Sequence, residues 1–151
     1  MDGDEEALVE LRLKWFDDST LLSDDGEELL RQALRSLGVT SRPAFEVFRV
    51  LLIAHKGGVR VSARQVREQV VKSRAREKER DRRGLTLRNI QVWLKYFCDI
   101  GFLDCVGDKY MFKAARKPSE CFNEYTVPLI DECARYTRKA FEAVEDAFKV
   151  K

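Results

Sequence analysis

Ten of the twelve residues from Lys72 to Arg83 are charged, in the run KSRAREKERDRR, and a polar group follows at once: Arg88, Asn89, Gln91 and Lys95, with Val92 among them. Guanidinium and ammonium groups at this density bind anionic oxygens. A planar guanidinium or carboxamide can also make paired hydrogen bonds to a flat acceptor edge. This is recognition chemistry. The chain holds no GxGxxG, P-loop, HExxH or nucleophile elbow. Its single histidine, His55, has no nucleophile or acid placed beside it and reads as a helix-end residue near the C-terminal dipole. Cys98, Cys105, Cys121 and Cys133 are spaced by 7, 16 and 12 with no CxxC pair, so they read as buried or incidental thiols. We expect no enzyme, no cofactor and no metal site.

The net charge of +2 in 151 residues conceals segregation. Residues 1–28 hold eleven acids against two bases, residues 29–118 hold twenty-one bases against eight acids, and residues 119–151 hold five bases against seven acids. A segment of net +13 raises the expectation of a polyanionic partner, although acidic and basic parts of one fold could also neutralise each other. Hydrophobic content of 44% fits one domain with a real core plus an appendage. The longest apolar run, Val50–Ala54, is far too short to span a bilayer, and the acidic opening MDGDEEALVE does not resemble a secretory signal. A cytoplasmic protein is expected, nucleoid-associated if it binds DNA.

These residues need elements to position them. Near the start, Leu8, Leu11 and Trp15 fit a helix face that Asp2 or Asp4 could cap, although VELRLKW also alternates like a strand. From Ser23 a capped amphipathic helix carries Leu29, Leu30, Ala33, Leu34 and Leu37 and should stop at Gly38. Thr40 or Ser41 caps a second, with Pro43 in its first turn and Gly57-Gly58 at its end. Val59–Val61 is a short extended candidate. Ser62 caps a third helix through Ala63, Val66 and Val70. The sign alternation beyond it, with pairs Glu77–Arg80 and Glu79–Arg83, predicts a helical extension that frays towards Gly84. Leu85 and Thr86 then serve as staple and cap for a helix whose apolar face is Leu87, Ile90, Trp93, Leu94 and Phe97. After Gly101 the period drops to two, which predicts strands Phe102–Val106 and Lys109–Lys113 around Gly107-Asp108. ARKPSE reads as a linker, and a long helix follows from Pro128 to about Val150.

The order helix, short strand, helix, turn, helix, hairpin from Pro43 to Lys113 resembles the winged helix-turn-helix superfamily. LTLRNIQVWLKYFCDIGFLDCVGDKYMF carries most of the likeness. The resemblance implies an α+β fold, mainly helical with a small β-hairpin, an extra N-terminal helix or helices, and a long C-terminal helix. It implies three parts: an acidic segment 1–22, a winged-helix domain 23–117, and a C-terminal helix 118–151. Many members of the superfamily bind duplex DNA and others are protein-interaction modules. In the DNA binders the face matching Arg88, Asn89, Gln91, Val92 and Lys95 enters the major groove, where Arg suits guanine, Asn or Gln adenine, and Val a thymine methyl. Lys72, Arg74, Arg76, Arg82, Arg83 and the hairpin's Lys109 would then neutralise phosphates. The link between the second and third helices is longer than the superfamily usually has.

The termini carry further expectations. Ile130, Cys133, Thr137, Phe141, Val144 and Phe148 form a narrow seam on the last helix, either core or the contact of a homodimer, which we favour. The acidic N-terminus is a solvated tail, a strap on the basic domain, or a contact for a protein partner. The leading reading is a double-stranded DNA-binding regulator of transcription acting as a homodimer. The alternative is a winged-helix interaction subunit of a replication or transcription complex.

Overall fold

The computed structural model describes residues 6–78 and 81–151. The described residues are mainly helical, with one small antiparallel sheet. Helix α1, Gly26–Ser36, starts at Asp25, whose carboxylate accepts the Glu27 N–H at 2.9 Å. Ser23, at the start of the stretch, accepts the Asp25 N–H just before the helix. Helix α2, Arg42–Lys56, is capped by Ser41 and buries Ala44, Phe45, Val47, Phe48 and Leu51. It is the central helix of the body. Strand β1 is Val61–Ser62, two residues later than expected at its start. Ser62 and Gln65 then form a reciprocal capping box for α3, Ala63–Arg76, so two orphan N–H groups are satisfied together. Helix α4, Leu87–Asp99, is capped by Thr86 and buries Ile90, Leu94 and Phe97.

Strands β2, Leu103–Val106, and β3, Lys109–Phe112, form the expected hairpin, with Cys105 opposite Tyr110. β1 pairs with β3, giving the order β1-β3-β2. Phe48 stands at the junction of the layers, edge-on to Phe97, Phe102 and Phe112 at centroid distances of 5.1 to 5.7 Å. His55 lies edge-on to Phe112 at the end of α2.

Three expectations change. The first concerns residues 6–16, which form no helix; they run as an extended strap across the body. The Lys14 N–H donates to the Ser36 carbonyl at 2.8 Å, Arg35 stacks on Phe16, and Leu11 packs on the core. Gly38, at φ +76°, makes this crossing possible: a Cβ there would stand 2.9 Å from the Arg12 carbonyl oxygen. Tertiary contact with α1 thus overrides a weak helical pattern, and Trp15 stays uncovered on the strap.

The second is that α3 ends at Arg76, well short of Gly84. Arg74 turns inward and captures the chain that follows, as described below. The proposed pairs Glu77–Arg80 and Glu79–Arg83 involve residues 79 and 80, outside the described residues, as do Asp2 and Asp4.

The third is that the linker is shorter than expected. A helical run begins at Pro118 with α5, Pro118–Cys121, passes through a π-helical turn, Phe122–Thr126, and continues as α6, Val127–Phe148. Pro128 has no N–H to offer the preceding turn, and the wide turn just before it accommodates that loss. The root of α6 is fixed to the end of α4. Thr126 Oγ1 donates to the Ile100 carbonyl at 2.6 Å, and a Cβ on Gly101 (φ +99°) would lie 2.9 Å from Tyr125 Cβ. Beyond this root α6 buries no residue. No helix among the described residues is long and apolar enough to cross a membrane.

Candidate recognition surface

The loop before α4 is built by one buried arginine. Arg74, near the end of α3, donates through Nε and Nη2 to the two carboxylate oxygens of Glu46, at 2.8 and 2.5 Å. Its Nη1 donates to the carbonyls of Asp81, at 2.7 Å, and Arg83, at 3.3 Å. Both side chains are almost wholly buried. A fork of five donors suits this task, because two N–H groups engage a carboxylate while the rest hold backbone. Arg74 is therefore removed from the set named for phosphate: it faces the body, and its charge is matched by Glu46.

The same loop is held at three further points. Arg67 donates to the Leu85 carbonyl, Leu85 is buried, and Asn89 Nδ2 donates to the Gly84 carbonyl at 2.7 Å. Gly84 has φ +77°, and a Cβ there would stand 2.5 Å from Pro43 Cγ. Asn89 is thus half-buried and engaged with the turn, and it is less open than its neighbours on α4. Asp81 accepts the Arg83 N–H, which holds its carboxyl below the usual range.

This scaffold leaves Arg82 and Arg83 exposed immediately before α4, and Arg88, Gln91 and Val92 exposed along it. Val92 is 54% exposed, unusual for a valine within a helix that packs Ile90 and Leu94 fully inside. Lys95 is exposed on the next turn and bonds Asp99 at 2.8 Å, which raises its pKa. An exposed i,i+4 pair of this kind contributes little and is readily exchanged for another anion. Lys72 and Arg76 are exposed on α3. Lys109 is exposed at the start of β3, beside Asp108 in the hairpin turn, so the hairpin tip has no net charge from that pair. Arg82 and Arg83 directly precede the α4 face in the chain, whereas Lys109 lies on the sheet, paired with Ser62 and Val106.

Glu46 was not singled out by sequence. The signal was present: a lone carboxylate inside AFEVF, on the most apolar helix, requires a cation. The six seam residues lie on α6, with Ile130 and Cys133 half-buried near the root and Thr137, Phe141, Val144 and Phe148 exposed. All four cysteines are free thiols, and among the described residues no group of three His, Cys, Asp or Glu could hold a metal ion. Burial lifts the Cys98 thiol to about 11. Comparison with protein-family models, curated proteins and solved structures finds no match to this chain.

Proposed function

We propose that this chain is a winged helix-turn-helix protein that binds double-stranded DNA as a homodimer and regulates transcription. The element order α2-β1-α3-α4-β2-β3 and the sheet order β1-β3-β2 support the fold reading. One observation carries the functional reading: a pinned loop presents Arg82 and Arg83 beside an α4 face, Arg88-Gln91-Val92-Lys95, that the core does not use. In this reading α4 enters the major groove, where Arg88 and Gln91 meet base edges and Val92 a thymine methyl. Arg82, Arg83, Lys72 and Arg76 bind phosphates, and the exposed seam of α6 holds two copies together.

An anisotropy titration against random and selected duplexes over a salt series tests it. Arg82→Ala with Arg83→Ala should weaken all duplexes alike and flatten the salt slope by about 1 to 2 units. Arg88→Ala should weaken the selected site more than random duplex. Absence of duplex binding at low salt would refute it. A second reading, an interaction subunit of a replication or transcription complex, is favoured by Trp15, which is 98% exposed on the strap. A stoichiometric protein partner that survives nuclease treatment and is lost in Trp15→Ala would support that reading.

A further inference from the structure

We propose that α6 pairs with α6 of a second copy of this chain in antiparallel fashion, with Thr137 on the two-fold axis. This rests on the reading of α6 as a self-association element and adds its direction and register. Outward from Thr137 the seam steps by four to Cys133 and Phe141, then by three to Ile130 and Val144. A further four reaches Phe148 at one end and the buried Thr126 at the other. The spacing is thus the same in both directions. The steps of 3, 4 and 4 repeat after eleven residues, ~3.67 per turn, which keeps the seam on one side of a nearly straight helix.

Size as well as spacing selects the direction. An antiparallel partner puts Cys133 level with the partner's Phe141 and Ile130 level with the partner's Val144, so small faces large in the layers beside the axis. A parallel, in-register partner would stack Phe141 on Phe141 and thiol on thiol. Ala134 and Ala140 flank the axis, so the two backbones can approach closely. At about 100° per residue, Glu132, Arg135, Lys139 and Glu142 fall on the far side of α6. None of these four lies on the seam itself, while Arg138 and Glu145 flank it at about 80–100° from Thr137.

The body offers a second wall. A groove of about 760 Å³ runs along one flank of α6, between Leu8 and Val9 of the strap and Leu129, Cys133 and Tyr136 of α6, with Glu6, Glu132, Arg135 and Lys139 also lining it. The partner's Phe141 and Val144 are level with this groove. Phe141 and Phe148 are 63% and 78% exposed in a single copy. Burying Phe141 in both copies, with the aliphatic and alanine layers, removes roughly 800 Å², the scale of a weak association, and Phe148, level with the partner's buried Thr126, meets the partner's body and not its seam. The two α6 roots at Val127 would then stand ~30 Å apart along the rod.

The test combines equilibrium sedimentation with mild oxidation of the full chain, followed by mass spectrometry of linked peptides. The expected result is a dimer that forms no Cys133–Cys133 link, because the two thiols lie about 12 Å apart along the rod. Phe141→Cys should gain a link between Cys133 and residue 141. Lys151→Cys, altered outside the seam, should gain none, since its two copies lie ~40 Å apart. A 133–133, 141–141 or 151–151 link would overturn the proposal, as would a dimeric Phe141→Cys lacking the 133–141 link. A monomer at about 100 µM would overturn it as well. Duplex binding on the same samples is a separate readout: a monomer that binds DNA removes this proposal and leaves the previous one, and a dimer with the expected links that binds no DNA does the reverse.

Discussion

Replacing Glu46 by alanine should be the most damaging single polar change in the body. The Glu46 and Arg74 side chains are only 8% and 4% exposed, so removing the carboxylate takes the paired acceptor away from a buried guanidinium that also donates to the Asp81 and Arg83 carbonyls. Breaking a buried pair from one side costs about 3–5 kcal/mol. For a chain of this length each kcal/mol moves the thermal midpoint by about 2–4 °C, so the midpoint should fall by roughly 6–20 °C. Thermal melts of Glu46→Ala, Arg74→Met and the double variant Glu46→Leu/Arg74→Met measure this. The double variant removes both charges and should recover most of the loss, giving a coupling of about 2 kcal/mol or more. Its Asp81–Arg83 amides should still exchange faster than in the parent, because those carbonyls have lost their donor. A loss below about 1 kcal/mol in Glu46→Ala, or simple additivity of the two single changes, would refute the account of Arg74 as a buried, pair-dependent anchor.

Other outcomes follow from single contacts. Gly101→Ala forces a Cβ to 2.9 Å from the Tyr125 side chain at φ +99° and should cost about 2–4 kcal/mol in denaturant unfolding. Gly107→Asn, at φ +67° with nothing within 4 Å, should cost under about 1 kcal/mol. Thr126→Val preserves shape but leaves the buried Ile100 carbonyl without its 2.6 Å partner, a loss of about 1–3 kcal/mol by the same assay. Timed alkylation should label Cys105, which is exposed, well before Cys98: with its pKa near 11, Cys98 holds its proton at pH 8 and its reactivity should climb only as pH approaches that value.

Local signals decided which elements were readable. Ser41, Ser62 and Thr86 cap the helices named for them, and Gly38 and Gly101 stop theirs, because a cap or a left-handed turn depends on a few adjacent atoms. The strap was not readable as such. Its conformation depends on a hydrogen bond to Ser36, a residue more than twenty positions away, and on the missing Cβ of Gly38. The loop after α3 failed for the same kind of reason. Alternating charge favours helix among neighbours, but Glu46, 28 residues upstream, draws Arg74 inward and the chain turns with it. On the α4 face, type and exposure agree for Arg88, Gln91, Val92 and Lys95. Asn89 could be assigned to the turn only once Gly84 was placed beside it.

The wide turn at Phe122–Thr126 sets an angle as well as a path. A π-helical turn holds more residues than an α-helical one, so it advances the azimuth of everything beyond it relative to the body. Deleting one residue there would restore regular winding and swing Ile130, Cys133 and Thr137 about the axis by ~100°. The heading at which α6 meets anything laid along it is therefore written in five residues at its root, and a single-codon deletion would steer it without touching either the seam or α4.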